Sequence, residues 1–171
     1  MNRKLLAGLG VAVTSSAMLA MTALPAAADT TDVTFALSGG SIAVDSQATA
    51  PLGNKGSSGT TSVSGSLGDT VLTDERGGTA GWSVGAATGA FTDGTTTATA
   101  VSYAPGATPA STGTVVATGT TQTLTATPAE VVAGTVVTGN NTATWNPTLT
   151  VTLPASSTAG AYAGTITTSL L

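Results

Sequence analysis

The sequence predicts an all-β protein: a single-domain antiparallel β-sandwich, with a closed β-barrel as the alternative. Three observations predict it. Short runs of four to seven residues alternate apolar and polar side chains, and Gly, Pro and Asn-rich turns punctuate them. No segment carries an apolar stripe at helical spacing. Threonine is the commonest residue, and its β-branched side chain suits a half-buried pleated surface.

The first 28 residues are set apart from the fold. Arg3 and Lys4 make a positive start, Leu5 to Leu24 is largely apolar, and Ala26-Ala27-Ala28 offers a small-x-small cleavage site. That is the three-part pattern of an export signal; a single spanning helix is the competing reading, diluted here by Thr14, Ser15, Ser16 and Thr22. The expected domain is 29–171: removing 28 of 171 residues leaves 143, enough for one core. No second apolar span follows, so no direct membrane span is expected after cleavage.

The predicted strands follow in order. Val33-Thr34-Phe35-Ala36-Leu37 and Ser41-Ile42-Ala43-Val44 flank Ser38-Gly39-Gly40 as a candidate hairpin. Gln47–Thr61 is Gly- and Ser-rich and reads as a mobile loop. Ser62–Leu67 alternates again. Val71–Thr73 and a strand through Trp82 flank Asp74-Glu75-Arg76-Gly77-Gly78, read as a tight reversal because the glycine pair frees the backbone. Ala90–Tyr103 is a Thr/Ala run with a turn at Asp93-Gly94, and Pro105–Gly113 reads as a loop. Val115, Val116 and Leu124 mark further short strands. Val131–Val137 is read as broken or bulged at Gly134, with a turn at Gly139-Asn140-Asn141. Leu149, Val151 and Leu153 alternate with Thr148, Thr150 and Thr152 in the clearest strand, which Pro154 ends. Tyr162, Ile166 and Leu170 share one face of the last.

Six aromatic residues are all the chain has. Burying one large apolar side chain fully stabilises by roughly 1.5–3 kcal/mol, so Trp82 and Trp145 are expected to carry an outsized share of the core. Their alternative use is stacking on sugar rings, for which an amphipathic indole is suited. The Thr-faced strands are expected to leave one sheet face solvated.

Composition excludes much chemistry. After the signal, Lys55 and Arg76 face eight acidic residues, a net charge of −6, which argues against a nucleic-acid partner and against anionic lipid. Histidine and cysteine are absent, removing Ser-His-Asp and Cys-His catalysis, nitrogen and sulfur ligands for zinc, and disulfides. No nucleophile elbow or phosphate-binding loop occurs. The acids are scattered, and adjacent Asp74 and Glu75 point to opposite faces of an extended chain, against paired-carboxylate glycosidase chemistry. No enzyme activity, cofactor or metal is expected, although Asp69, Asp74 and Asp93 are the oxygen ligands a calcium site would use. Asp74 and Arg76, two apart, read either as an exposed ion pair worth about 0–1 kcal/mol or as a guanidinium fork open to a partner's carboxylate.

Two stretches together resemble the WxL domain family of Gram-positive surface proteins, whose marks are a Trp-x-Leu element and a distal Tyr-x-x-x-(Leu/Ile/Val)-Thr-Trp-x-Leu element. The first reads Trp82-Ser83-Val84, with Val84 in place of leucine. In the second, Tyr162, Ile166, Thr167 and Leu170 match, and Thr168 stands where the family has tryptophan. Asp74-Glu75-Arg76-Gly77 and the run from Trp145 to Gly160 are also similar to the family. The resemblance implies a non-enzymatic extracellular module, held non-covalently at the cell wall or surface. Its partners would be peptidoglycan or membrane-anchored proteins encoded alongside. The candidate binding residues are Asp74, Arg76, Trp82, Val84, Trp145, Tyr162, Ile166 and Leu170. Leu153-Pro154-Ala155-Ser156-Ser157 is similar to a sortase signal but lacks its Thr-Gly pair, apolar tail and basic end, so covalent anchoring is not expected. Two other functions fit the composition: a structural coat or fibre subunit that self-associates through charge-poor sheet edges, and a secreted carbohydrate-binding module. If the Ala26-Ala27-Ala28 site is used, intact-mass analysis of exported protein will give a chain beginning at Asp29; a retained Met1 would refute export with cleavage.

Overall fold

The computed structural model describes residues 31–56 and 61–171. The expected signal segment, 1–28, lies outside the described residues. Residues up to Ala36 form one unit and Leu37–Leu171 a second, compact one. Of the first unit only Thr31–Ala36 is described, and it contains no strand.

The second unit is an antiparallel all-β sandwich with no helix among its described residues. Ten strands are described: β1 (Ile42–Asp45), β2 (Ser62–Ser66), β3 (Thr70–Asp74), β4 (Trp82–Thr88), β5 (Ala100–Ala104), β6 (Ala110–Gly119), β7 (Gln122–Thr123), β8 (Ala129–Trp145), β9 (Thr148–Thr152) and β10 (Ile166–Leu170). One sheet runs β1-β3-β8-β4-β10 with β6 also on β8, and the other runs β2-β9-β5-β7. Their inner faces close on a single apolar cluster that includes Leu72, Trp82, Val84, Tyr103, Val131, Trp145 and Leu149.

The first sheet is built around β8. Strand β6 occupies one edge of β8 from Thr144 back to Val132. A strand has two edges, so β3 and β4 must share the other. β3 pairs Thr70–Asp74 with Trp145–Asn141, and β4 pairs Trp82–Ala86 with Gly134–Ala129, both antiparallel. They therefore run in the same direction, end to end, as one strand interrupted at Glu75–Gly81. This corrects the tight reversal expected at Asp74–Gly78. Gly77 and Gly78 do adopt positive φ, 68° and 73°, but they shape an outward loop, which the Gly139 N–H ties to β8 through the Gly78 carbonyl at 2.8 Å. Beyond β3 and β4 lie β1 and β10, each pairing antiparallel with its inner neighbour. They too run end to end, with Gly40 bonded to Glu75 and Leu171 to Ser83.

Three other expectations change. β8 is continuous through Gly134, read as a break or a bulge, and through Gly139-Asn140-Asn141, read as a turn. It does not break, and its register shifts on either side of Gly134, between Glu130 and Val132 and between Thr135 and Thr138. Pairing with β3 at Asn141–Trp145 and with β4 at Ala129–Gly134, opposite β6, anchors the strand. Between them, of the described strands, only β6 follows it, with the irregularity absorbed by Gly139 at φ 71° and by Val136 at φ 53°, a strained conformation for a β-branched residue. Pro105–Gly113 is not all loop: β6 begins at Ala110 and takes Gly113 in at a register shift. The first alternating run, Val33–Leu37, pairs with nothing described, so there is no hairpin; only the second run becomes a strand, on β3. Of the predicted loop Gln47–Thr61, residues 47–56 and Thr61 are described and hold no strand, yet Leu52 packs against Gly65 and the core.

The clearest predicted strand, β9, forms as read: Leu149 and Val151 are buried and the threonines face outward. On the same outer face Ser64 bonds Thr150 at 2.7 Å, in register between β2 and β9. β6 adds a second threonine ladder, Thr112 to Thr142 at 2.6 Å. Hydroxyls thus wet faces that in most proteins would be wetted by charge.

Gly134 is the position where the main chain must pass closest to a large side chain. A Cβ there would collide with the six-membered ring of Trp82, which lies buried against it. Gly134→Ala is expected to cost roughly 1–3 kcal/mol, the usual range for overpacking, read as a lowered denaturation midpoint; Gly139→Ala, with open space around its Cβ, is expected to cost only the smaller strain of its backbone angle.

Candidate functional site

The interruption between β3 and β4 brings four of the predicted and unpredicted polar groups into one chain. Asp74, the last residue of β3, points inward and is 1% exposed. Its Oδ1 accepts from the Arg76 backbone N–H at 3.1 Å and from Arg76 Nε at 2.9 Å; its Oδ2 accepts from Arg76 Nη2 at 3.0 Å. Asn141 Nδ2 reaches the same Oδ2 at 3.4 Å, and Asn141 Oδ1 accepts the Trp82 indole N–H at 3.0 Å. Arg76 Nη2 also donates to the carbonyls of Ala80 and Gly81 at 3.3 and 3.2 Å. The network therefore joins β3, β4, β8 and both ends of the intervening loop. No buried side-chain nitrogen or oxygen among the described residues lacks a partner.

This answers the two readings of the Asp74–Arg76 pair. It is not an exposed pair: the carboxylate is buried, and only the guanidinium is partly open, its side chain 33% exposed. Nor is its fork free, because Asp74 already takes it in two-point contact. The Arg76 guanidinium holds the Asp74 carboxyl below its ordinary value of 3.8, against a smaller opposing push from burial.

A second polar chain lies at the other end of β3. Trp145 donates its indole N–H to the Tyr103 hydroxyl at 2.9 Å. Burial pushes the Tyr103 hydroxyl up from its ordinary value, and hydrogen bonds with Trp145 and Thr70 oppose the shift. Ser46 joins the Thr70 hydroxyl at 3.2 Å. Trp82 and Trp145 are 7% and 3% exposed, with both indole N–H groups used internally. They are core residues, and stacking on a sugar ring is closed to them. Val84 is fully buried as well.

The remaining predicted residues fall elsewhere. Tyr162 and Ile166 are half-buried and line a cleft of ≈ 690 Å³ between the two sheets, while Leu170, at the end of β10, is exposed. Its walls include Val63 of β2, Leu149 and Val151 of β9, Phe91, and the 46–56 segment that follows β1. Thr168, where the resembled family carries tryptophan, also faces it. The cleft therefore opens between β10, whose outer edge has no partner strand among the described residues, and β2, which pairs only with β9. Among the described residues its walls hold no acid, and Lys55 is their sole charge. Tyr162 donates its hydroxyl to the Thr158 carbonyl at 3.2 Å, holding the segment before β10 against the mouth.

The three candidate calcium carboxylates lie apart. Asp69 accepts from Asn146, Asp74 sits in the Arg76 network, and Asp93 caps its own turn through the Thr95 and Thr96 N–H groups, which hold its carboxyl below the ordinary value. Among the described residues no three His, Cys, Asp or Glu groups come together, and no helix is long and apolar enough to cross a membrane.

Sequence reasoning missed Asn141 and the cleft. Asn141 shares the inward face of β8 with Ala143 and Trp145, and a polar residue at that alternation was a readable signal; its glycine and asparagine neighbours directed the reading to a turn. The cleft had no sequence signal, since its walls come from segments far apart in the chain. The chain matches no family model, no curated protein and no solved structure.

Arg76→Ala leaves the Asp74 carboxylate buried without its cation. The expected loss is about 2–4 kcal/mol, between the values for exposed and fully buried pairs, read as a lower denaturation midpoint. Because the folded Asp74 titrates below its unfolded value, the stability it contributes is full above about pH 4 and is lost as pH falls through the folded pKa. Melting temperature should therefore drop in acid below that point, and Asp74→Asn should flatten this dependence while lowering stability at neutral pH.

Proposed function

We propose that this chain is a non-enzymatic extracellular module that attaches to the cell surface non-covalently, holding an extended segment of its partner in the cleft beside β10. The observation that carries the reading is that Tyr162 and Ile166, from the C-terminal element resembling the WxL family, line an opening of ≈ 690 Å³ between the sheets. The opening is flanked by unpaired strand edges, and an extended peptide binds such an edge through its main chain and fills pockets with alternate side chains. Peptide stems of peptidoglycan and segments of a membrane-anchored protein both supply that chemistry. The other candidate residues serve the reading indirectly: the Asp74–Arg76–Asn141–Trp82 chain fixes β4, and β4 carries β10 on its outer edge.

Purified protein is expected to sediment with cell-wall sacculi or with isolated surface fractions, and chaotrope is expected to release it intact without wall digestion, because no covalent link is involved. Thr168→Trp, which fills the cleft, should weaken binding by about tenfold or more, whereas Thr118→Ala on the opposite edge of the sheet should not. Retention that survives chaotrope, or binding indifferent to Thr168→Trp, would rule the reading out.

A further inference from the structure

We infer that the cleft also accepts the N-terminal strand of a second copy, so that this chain assembles head to tail; the inference rests on the reading that the cleft takes an extended segment. The donor is Val33–Leu37. Val33, Phe35 and Leu37 alternate at period two and are 81%, 89% and 92% exposed. Three consecutive same-face apolar side chains left open in this way form an unused strand face, unlike isolated apolar residues scattered over a surface. The segment has strand composition, since Val, Thr and Phe all favour extended pleated surfaces, yet it pairs with no described strand.

The receptor has the complementary features. Ile166 and Thr168 present side chains to the cleft from the free edge of β10, and a strand added there places its own alternate side chains at the same spacing of about 6.8 Å. Val63, Leu149 and Val151 line the cleft and offer apolar side chains to those of an added strand. Charge agrees as well. Asp32 immediately precedes the apolar trio, and among the described residues the cleft's single charge is Lys55, which forms no ion pair among them. Donor and receptor are different surfaces, so the contact is heterologous and does not close on itself; repeated, it makes a chain of copies. Each chain ends in one unfilled cleft, which is the site left for the wall or for a membrane-anchored partner.

The test is sedimentation velocity of the chain from Asp29 over micromolar to millimolar concentration. The wild type is expected to form a ladder of oligomers that grows with concentration. Phe35→Asp removes the donor and should raise the apparent dissociation constant by about 30-fold or more, with an unchanged melting temperature. Thr168→Trp removes the receptor and should do the same, and mixing the two variants should give a dimer and stop there, because one copy retains only a donor and the other only a cleft. A synthetic peptide of Thr31–Ser38 should cap assembly, which keeps the test decisive if Thr168→Trp fails to fold. A wild type that stays monomeric throughout, or assembly indifferent to Phe35→Asp, overturns the inference. So does a lowered melting temperature in Phe35→Asp, which would mean the strand stabilises its own copy. Sacculus binding retained by the Phe35→Asp protein keeps the attachment reading whatever becomes of assembly; assembly without sacculus binding does the reverse.

Discussion

The buried Asp74 carboxylate is the group on which the first sheet depends. The strand pair β3 and β4 is cut by seven residues, and a cut in the middle of a sheet exposes main-chain groups and weakens register. Here the cut is closed by side chains. Asp74 gathers the Arg76 guanidinium, the Arg76 N–H and the Asn141 amide, and Asn141 passes the chain on to the Trp82 indole. A buried charge without partners is heavily penalised, whereas a fully satisfied polar network fixes one arrangement of the elements that contribute to it. Those elements are β3, β8, β4 and the loop between them. The ion pair is thus better understood as a clamp on register than as a source of large net stability.

What lies outside that clamp follows from it. β1 hangs on β3 and β10 on β4, so the outer edge of the sheet is also made of two collinear pieces. Among the described residues β10 has no partner on its far edge, and the 46–56 segment that follows β1 lines the cleft. Its walls mix apolar side chains of the inner faces, such as Val63, Leu149 and Val151, with serine, threonine and amide groups, and they hold little charge because the chain has so few charges to place. The attachment and assembly proposals both draw on that one opening.

The core is built without disulfides and with few large side chains, and it compensates by close approach. Gly134 lets the Trp82 ring lie against the β8 main chain, and both tryptophans spend their N–H groups on internal partners. Valine, alanine and leucine then fill the remaining space between the sheets. On the outside, serine and threonine pair across strands where charged residues would ordinarily stand, as in Ser64 with Thr150 and Thr112 with Thr142. Such a surface offers little electrostatic protection to its edges.

The sequence by itself left the tryptophans between core and contact surface, and their burial came from the packing of the sheets; it determined the class of fold and the local strands whose alternation is self-contained. β9 is the clearest case, because Leu149 and Val151 can face inward only if Thr148, Thr150 and Thr152 face out, whatever its neighbours are. It also determined what chemistry is missing, since residue types need no fold to be counted. Only the tertiary structure decided direction and partnership. Gly77-Gly78 permits a reversal or an outward loop, and β8, already holding β6 on one edge, left β3 and β4 the same remaining edge and so forbade the reversal. Gly139-Asn140-Asn141 permits a turn, but the pairing of Asn141 with Asp74 on β3 and of Thr138 and Thr142 with β6 carried the strand through and turned Asn141 inward. The exposure of Asp74 likewise depended on residues 67 positions away, and the cleft on strands brought together from both ends of the chain. Local propensity reaches a few residues; register, burial of a charge and the shape of an opening are set by contacts between segments that the chain keeps far apart.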